Sequence, residues 1–192
     1  MSRGRKTVAF VGRPECGKST QIKKLLDSIH EGKIIYDENY QKAWLDVPEI
    51  SMDQWKSMTR GKYKVTDPDF VKFYEIASEK WKRGWQGVIV HEDAGTMLGS
   101  QKNDKLFKML ISLRHKATDL VLVFHSLMDT PPYVIRQLNE IILFKTGDNW
   151  TSARERFPDD KQEEIRQAFD QVNNSESQWA WKRIILRKTG TL

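Results

Sequence analysis

The chain has a single cysteine, Cys16, so it can form no internal disulfide and no cysteine cluster to hold a metal; a reducing, intracellular setting fits. Long apolar runs are missing as well. None approaches the ~20 residues that a bilayer span needs. The charged start, Met1-Ser2-Arg3-Gly4-Arg5-Lys6, is followed only by Thr7 to Val11 before Gly12, too little for a secretory signal. Repeats, low-complexity tracts and linker-like segments are absent too, and 192 residues suit one core. The expectation is a single domain over 1–192, cytoplasmic and without a membrane span.

What is present is ample material for a core. Apolar residues make up 39% of the chain and include seven tryptophans, which excludes a disordered chain. Lys and Arg number 32 against 26 Asp and Glu, a net charge of +6 that leans toward polyanionic partners. The excess is uneven. Between Gln101 and Thr118 stand Lys102, Lys105, Lys108, Arg114 and Lys116 with Asp104 as the lone acid, so a helix starting near Asp104 is the best location for a basic face.

Periodicity supplies the fold class. Thr7 to Val11 is a short β-branched run ending at Gly12, and from Ser19 the apolar residues Ile22, Leu25, Leu26 and Ile29 recur with helical spacing. A second strand is expected over Lys33 to Asp37, an irregular insert with a short helix over 38–66, and a helix through Phe70, Phe73, Tyr74, Ala77 and Trp81 between the cap Asp69 and the stop Gly84. Trp44 and Trp55 in the insert are open between core and subunit contact. Further strands are expected at Gly87 to Val90, Asp119 to Phe124 (the most apolar run), Ile141 to Phe144 and Trp179 to Arg187. A short helix is expected from Pro131-Pro132 to Leu138, and another behind a capping box of Asp160 and Glu163. Strands alternating with helices give an α/β chain: a mainly parallel sheet with helices on both faces.

Three constellations carry chemistry. The segment Gly12-Arg13-Pro14-Glu15-Cys16-Gly17-Lys18-Ser19-Thr20 fits G-x-x-x-x-G-K-[ST] between a strand and a helix. Its glycines let backbone N–H groups turn around a β-phosphate, Lys18 reaches the β- and γ-phosphates, and the Ser19 hydroxyl suits Mg²⁺. ATP and Mg²⁺ are therefore the expected ligands. The strand Val88-Ile89-Val90-His91 ends in Glu92-Asp93, so one carboxylate can hold the metal shell while the other orients water. Position assigns Glu92 to the metal and Asp93 to the water, although the usual order of such a pair is Asp then Glu. Third, His125 ends the neighbouring strand, where it can sense a γ-phosphate.

The order of Gly12 to Thr20, Ile34-Ile35-Tyr36-Asp37, Val88 to Ala94, Arg114-His115 with its strand, and Pro131-Pro132-Tyr133-Val134-Ile135-Arg136 resembles the FtsK/HerA superfamily of P-loop NTPases. Within it the chain is most similar to small viral genome-packaging ATPases and the ATPase domain of Zot-like phage assembly proteins. The resemblance implies a RecA/FtsK-like sheet and a homo-oligomeric, ring-forming ATP hydrolase that moves double-stranded DNA. It also implies a capsid or phage-assembly partner and, for a viral chain, the host cytoplasm. The family's arginine finger maps onto Arg114, with Arg136, Arg154 and Arg156 as rivals. Two departures stand out: the sensor is often Gln where this chain has His125, and Zot-like proteins carry a membrane span. Two other readings compete with the motor: a small P-loop kinase acting on a nucleotide or metabolite, and a non-catalytic ATP-binding assembly switch.

Overall fold

Short apolar strands with both faces buried are the signature of a parallel sheet, and they assemble as one here. The computed structural model describes residues 6–98 and 118–187. The strands are β1 (Thr7–Val11), β2 (Gly32–Tyr36), β3 (Lys62–Val65), β4 (Gly87–His91), β5 (Thr118–Phe124), β6 (Glu140–Phe144) and β7 (Trp181–Ile185). They lie in the order β3-β2-β4-β5-β1-β6-β7. All neighbours are parallel except β6 and β7, which run antiparallel.

Alternation along each strand divides the core between the two faces of the sheet. On one face Val8, Phe10, Val90 and Val121 meet Ile22 and Leu26 of α1 (Lys18–Asp27), with Trp44 and Val47 from the segment after β2. On the other, Ala9, Val11, Ile89 and Leu122 meet three helices: α3 (Phe70–Lys82), α5 (Pro132–Ile135) and α7 (Asp159–Asn173). The short α2 (Met52–Ser57), α4 (Ala94–Leu98) and α6 (Trp150–Ala153) fill the margins. Helices cover both faces, as periodicity predicts. Phe73, Tyr74, Ala77 and Trp81 are buried, as are Ile165, Ala168, Phe169 and Val172, so both apolar stripes face the sheet. The Asp69 carboxylate caps α3 by accepting the Lys72 N–H at 2.9 Å, and Gly84 ends it at φ 83°.

The structure corrects the sequence at several points. The segment 38–66 holds the whole edge strand β3, paired in parallel with β2. Its alternation of Lys62 and Lys64 with Tyr63 and Val65 breaks the apolar run that marks a strand, and edge positions tolerate charge. Helix α7 starts at Asp159: Pro158 takes the N-cap position in an extended conformation (φ −58°, ψ 140°), so no side chain caps the helix and Asp160 lies in its first turn. The Pro-Pro helix stops at Ile135, and the last strand is confined to Trp181–Ile185. Trp44 and Trp55 are both core, at 0% and 2% exposed. The expected helix from Asp104, with its lysines, lies outside the described residues. Among the described residues no helix is long and apolar enough to cross a membrane.

One buried lysine holds the insert to the sheet layer. Lys80 of α3 donates to the backbone carbonyls of Trp55 at 2.7 Å, Lys56 at 3.3 Å and Met58, satisfying the open C-terminal end of α2. Its ammonium also sits 5.7 Å from the Trp55 ring centre and 5.8 Å from that of Trp85. Lys80→Met keeps the aliphatic stem and strands those carbonyls. It should lower stability by about 2 kcal/mol, read as an earlier urea midpoint with an unchanged slope.

Candidate functional site

The glycine loop, the acid pair and His125 each leave the sheet at the carboxyl end of a strand. The glycine loop follows β1, where Gly12 N–H donates to Phe124 O at 3.2 Å and Arg13 N–H to Lys145 O at 2.9 Å, stitching the loop to β5 and β6. Space makes Gly12 obligatory: a Cβ there would stand 2.6 Å from the Phe144 Cβ. Gly17 opens α1 at φ 97° without a side-chain cap, so the first N–H groups of the helix remain available to an anion. The Lys18 side chain folds back under the loop, donating to Gly12 O and, at 2.9 Å, to Arg13 O. Burial depresses its pKa, partly countered by the thiol of Cys16 and the carboxylates of Glu92 and Asp93. Cys16 is 1% exposed and sits beneath the loop, where burial pushes its thiol pKa up.

The acid pair is split by the backbone. Glu92 continues the strand, with its N–H on Tyr36 O at 2.9 Å and its side chain 6% exposed. Its Oε1 accepts the Trp44 indole N–H at 2.7 Å. Desolvation raises its pKa from 4.5 to about 7; the Trp44 bond and Lys18 oppose the rise, and Asp37 and Asp93 add to it. Asp93 turns into the left-handed region at φ 49° and so points elsewhere. Its Oδ2 accepts the Asn39 amide at 3.0 Å, and its Oδ1 lies 3.4 Å from His125 Nε2. Behind the pair, fully buried His91 is braced by the Tyr74 hydroxyl at 2.7 Å and by Met97 Sδ at 3.2 Å; burial pulls its pKa down to about 3, so it stays neutral.

These groups converge on one cavity of about 590 Å³, a size usual for a small-molecule site. Loop residues Pro14, Glu15, Gly17, Lys18, Ser19 and Thr20 form one side, with Glu92 and His125 facing them. Asn39 to Ala43 supply a second wall, and Trp179 the end near β7. Glu92 lines the cavity, whereas Asp93 reaches the site through Asn39 and His125. Arg114 lies outside the described residues. Its rivals Arg136, Arg154 and Arg156 line no part of the cavity, and Arg156 donates to Thr130 O at 3.1 Å.

Several residues of the site escape sequence reasoning. Asp37, whose Oδ2 accepts the Gln41 N–H at 2.8 Å, gave a faint signal as the polar end of a strand. Asn39, Trp44 and Trp179 gave none, since each reaches the site through tertiary packing.

No family model and no curated protein matches the chain. Solved structures do. The genome packaging NTPase B204 from Sulfolobus turreted icosahedral virus 2, in complex with ATP-gammaS, aligns with a TM-score of 0.77 at 20% identity, over 98% of this chain and 95% of that one. B204, the DNA-packaging ATPase from Sulfolobus turreted icosahedral virus, aligns at 0.67 and 20% identity, over 95% and 98%. The chain has the P-loop NTPase fold of these structures. Thermomonospora curvata EccC (ATPases 2 and 3) is a more distant likeness at 0.51 and 12% identity, covering 80% of this chain and 31% of that one. In this P-loop fold β5 stands between the strand before the loop and the acid-bearing strand, so His125 emerges between Gly12 and Glu92.

The buried acid gives stability a pH dependence. Folded Glu92 keeps its proton up to about pH 7, and the unfolded chain only to about 4.5. The folded state therefore binds more protons within that window, and stability falls as pH rises through it, levelling off above. Glu92→Gln keeps an acceptor for Trp44 and removes the titration. The variant should match wild type at pH 4.5 and exceed it by on the order of 3 kcal/mol at pH 8, as read from urea midpoints across pH.

Proposed function

We propose that the chain is an ATP-hydrolysing P-loop protein working as an oligomeric motor that packages or extrudes DNA. The observation that carries the reading is the meeting of Lys18, Ser19, Glu92 and His125 on one cavity, each delivered by a different strand end or by the loop. Transfer of a phosphoryl group to water needs positive charge on the phosphates, a held water and little else from the protein. Lys18 meets the first need. On this reading Asp93, whose carboxylate meets Asn39 and His125, orients the water, and Glu92, which lines the cavity, takes the metal side.

A magnesium ion fits the residues present. Ser19 and Glu92 offer oxygen donors on the same cavity, and among the described residues no group of three or more His, Cys, Asp or Glu forms a dedicated cage. Such a sparse set suits Mg²⁺, which takes most of its ligands from phosphates and water. When bound there it would offset the charge of the phosphate oxygens.

The motor part of the proposal rests on likeness to the B204 packaging NTPases, together with a net positive charge concentrated between Gln101 and Thr118. On this reading Arg114 reaches the nucleotide of a neighbouring subunit in a homo-oligomeric ring, and Lys102, Lys105 and Lys108 face duplex DNA. The whole of 1–192 acts as one unit.

Phosphate release from ATP, followed with and without duplex DNA while mass in solution is recorded, tests the proposal. Wild type should turn over faster with DNA and as a ring, and Lys18→Ala should lose at least roughly a hundredfold. Arg114→Ala should lose roughly a thousandfold in the ring yet still bind ATP. Turnover that needs a small acceptor would instead make the chain a kinase, and binding without turnover would make it a switch. If Arg114→Ala hydrolyses ATP normally in the ring, the finger assignment is wrong.

A further inference from the structure

The cavity has two ends, and the strand order tells them apart. Strands β4 and β5, which deliver Glu92 and His125, lie on one side of β1; β6 and β7 lie on the other. With the terminal phosphate of a nucleotide at the Glu92 end, its nucleoside must leave the loop toward β7. The wall there is Trp179.

Trp179 is 62% exposed, and its Cδ1 lies 3.3 Å from where a Cβ on Gly17 would stand, so the indole rises directly from the mouth of the loop. A hydrogen-bonded turn holds it there. Trp179 N–H donates to Ser177 Oγ at 3.2 Å, Ala180 N–H to Ser177 O at 3.3 Å, and Ser177 N–H to Ser175 Oγ at 3.2 Å. Lys145, next to the loop, donates to Ser175 O, and the Phe144–Trp181 pairing anchors the far side of the turn. A large apolar ring held in the open on a pinned turn, at the edge of a polar cavity, is built to be covered. Tyr40, the other exposed aromatic of the cavity, follows β2 and therefore stands at the phosphate end, with Lys64 Nζ 5.8 Å from its ring centre.

We propose that Trp179 is the nucleobase platform of this site, taking the purine of a nucleoside triphosphate by stacking on its face. This rests on the nucleotide-binding reading above and adds a residue to it. Stacking reads a π-face rather than a donor and acceptor pattern, so Trp179 should favour ATP and GTP alike.

The test uses the full chain with magnesium and compares calorimetric affinities for ATP and for inorganic tripolyphosphate, which has the phosphates and lacks the base. Trp179→Ala should weaken ATP roughly tenfold and leave tripolyphosphate unchanged, GTP should lose as much as ATP, and Trp179→Phe should recover most of the loss. Tripolyphosphate binding also reports that the variant is folded. An unchanged ratio of ATP to tripolyphosphate affinity overturns the assignment; if mass in solution falls at the same time, Trp179 is a subunit contact instead. Wild type that binds neither ligand would sink the nucleotide reading itself, and this assignment with it.

Discussion

The parallel register of the central strands is the constraint on which the site depends. Tyr36 lies opposite His91, His91 opposite Leu122, and Val11 opposite Phe124. One residue further along each strand come Asp37, Glu92 and His125, with Gly12 opening the loop. Four segments distant in sequence thus release their polar ends at one edge of the sheet, as ligand sites of open α/β sheets do. A slip of one residue in β4 would move Glu92 away from the cavity and disturb both faces of the core at once.

The acid pair carries two local costs. A carboxylate 6% exposed is costly to ionise, and Asp93 adopts a backbone conformation that non-glycine residues seldom take. Both costs are met by packing. Trp44 supplies a hydrogen bond from the core on the α1 face of the sheet, and Thr96 donates its N–H at 3.1 Å and its hydroxyl at 2.9 Å to Asp93 O, closing the turn into α4. The same turn aims one acid into the cavity and the other at His125. Adjacent carboxylates therefore face different surroundings.

Local information was enough for the loop, the flanking strand and helix, the acid strand and most of the sheet, because glycine spacing and apolar periodicity are read within a few residues. What escaped was tertiary. Trp44 is separated from Glu92 by 48 positions, and a tryptophan in a polar segment carries no mark of the carboxylate it will meet. Strand β3 hid behind Lys62 and Lys64, since an edge strand needs only one apolar side. Helix α7 starts two residues ahead of where the Asp160 and Glu163 pattern puts it, because Pro158 takes the cap position. Asn39 and Trp179 belong to turns whose positions only the folded sheet defines.

The buried cysteine gives the molecule an internal gauge. Cys16 is the single thiol of the chain, sits 1% exposed beneath the phosphate loop, and is held protonated by burial. An alkylating reagent can reach it only when the loop lifts, so the rate of thiol labelling measures loop opening without any engineered probe. Because the closed loop shields that thiol, a second cysteine introduced on the surface would label first.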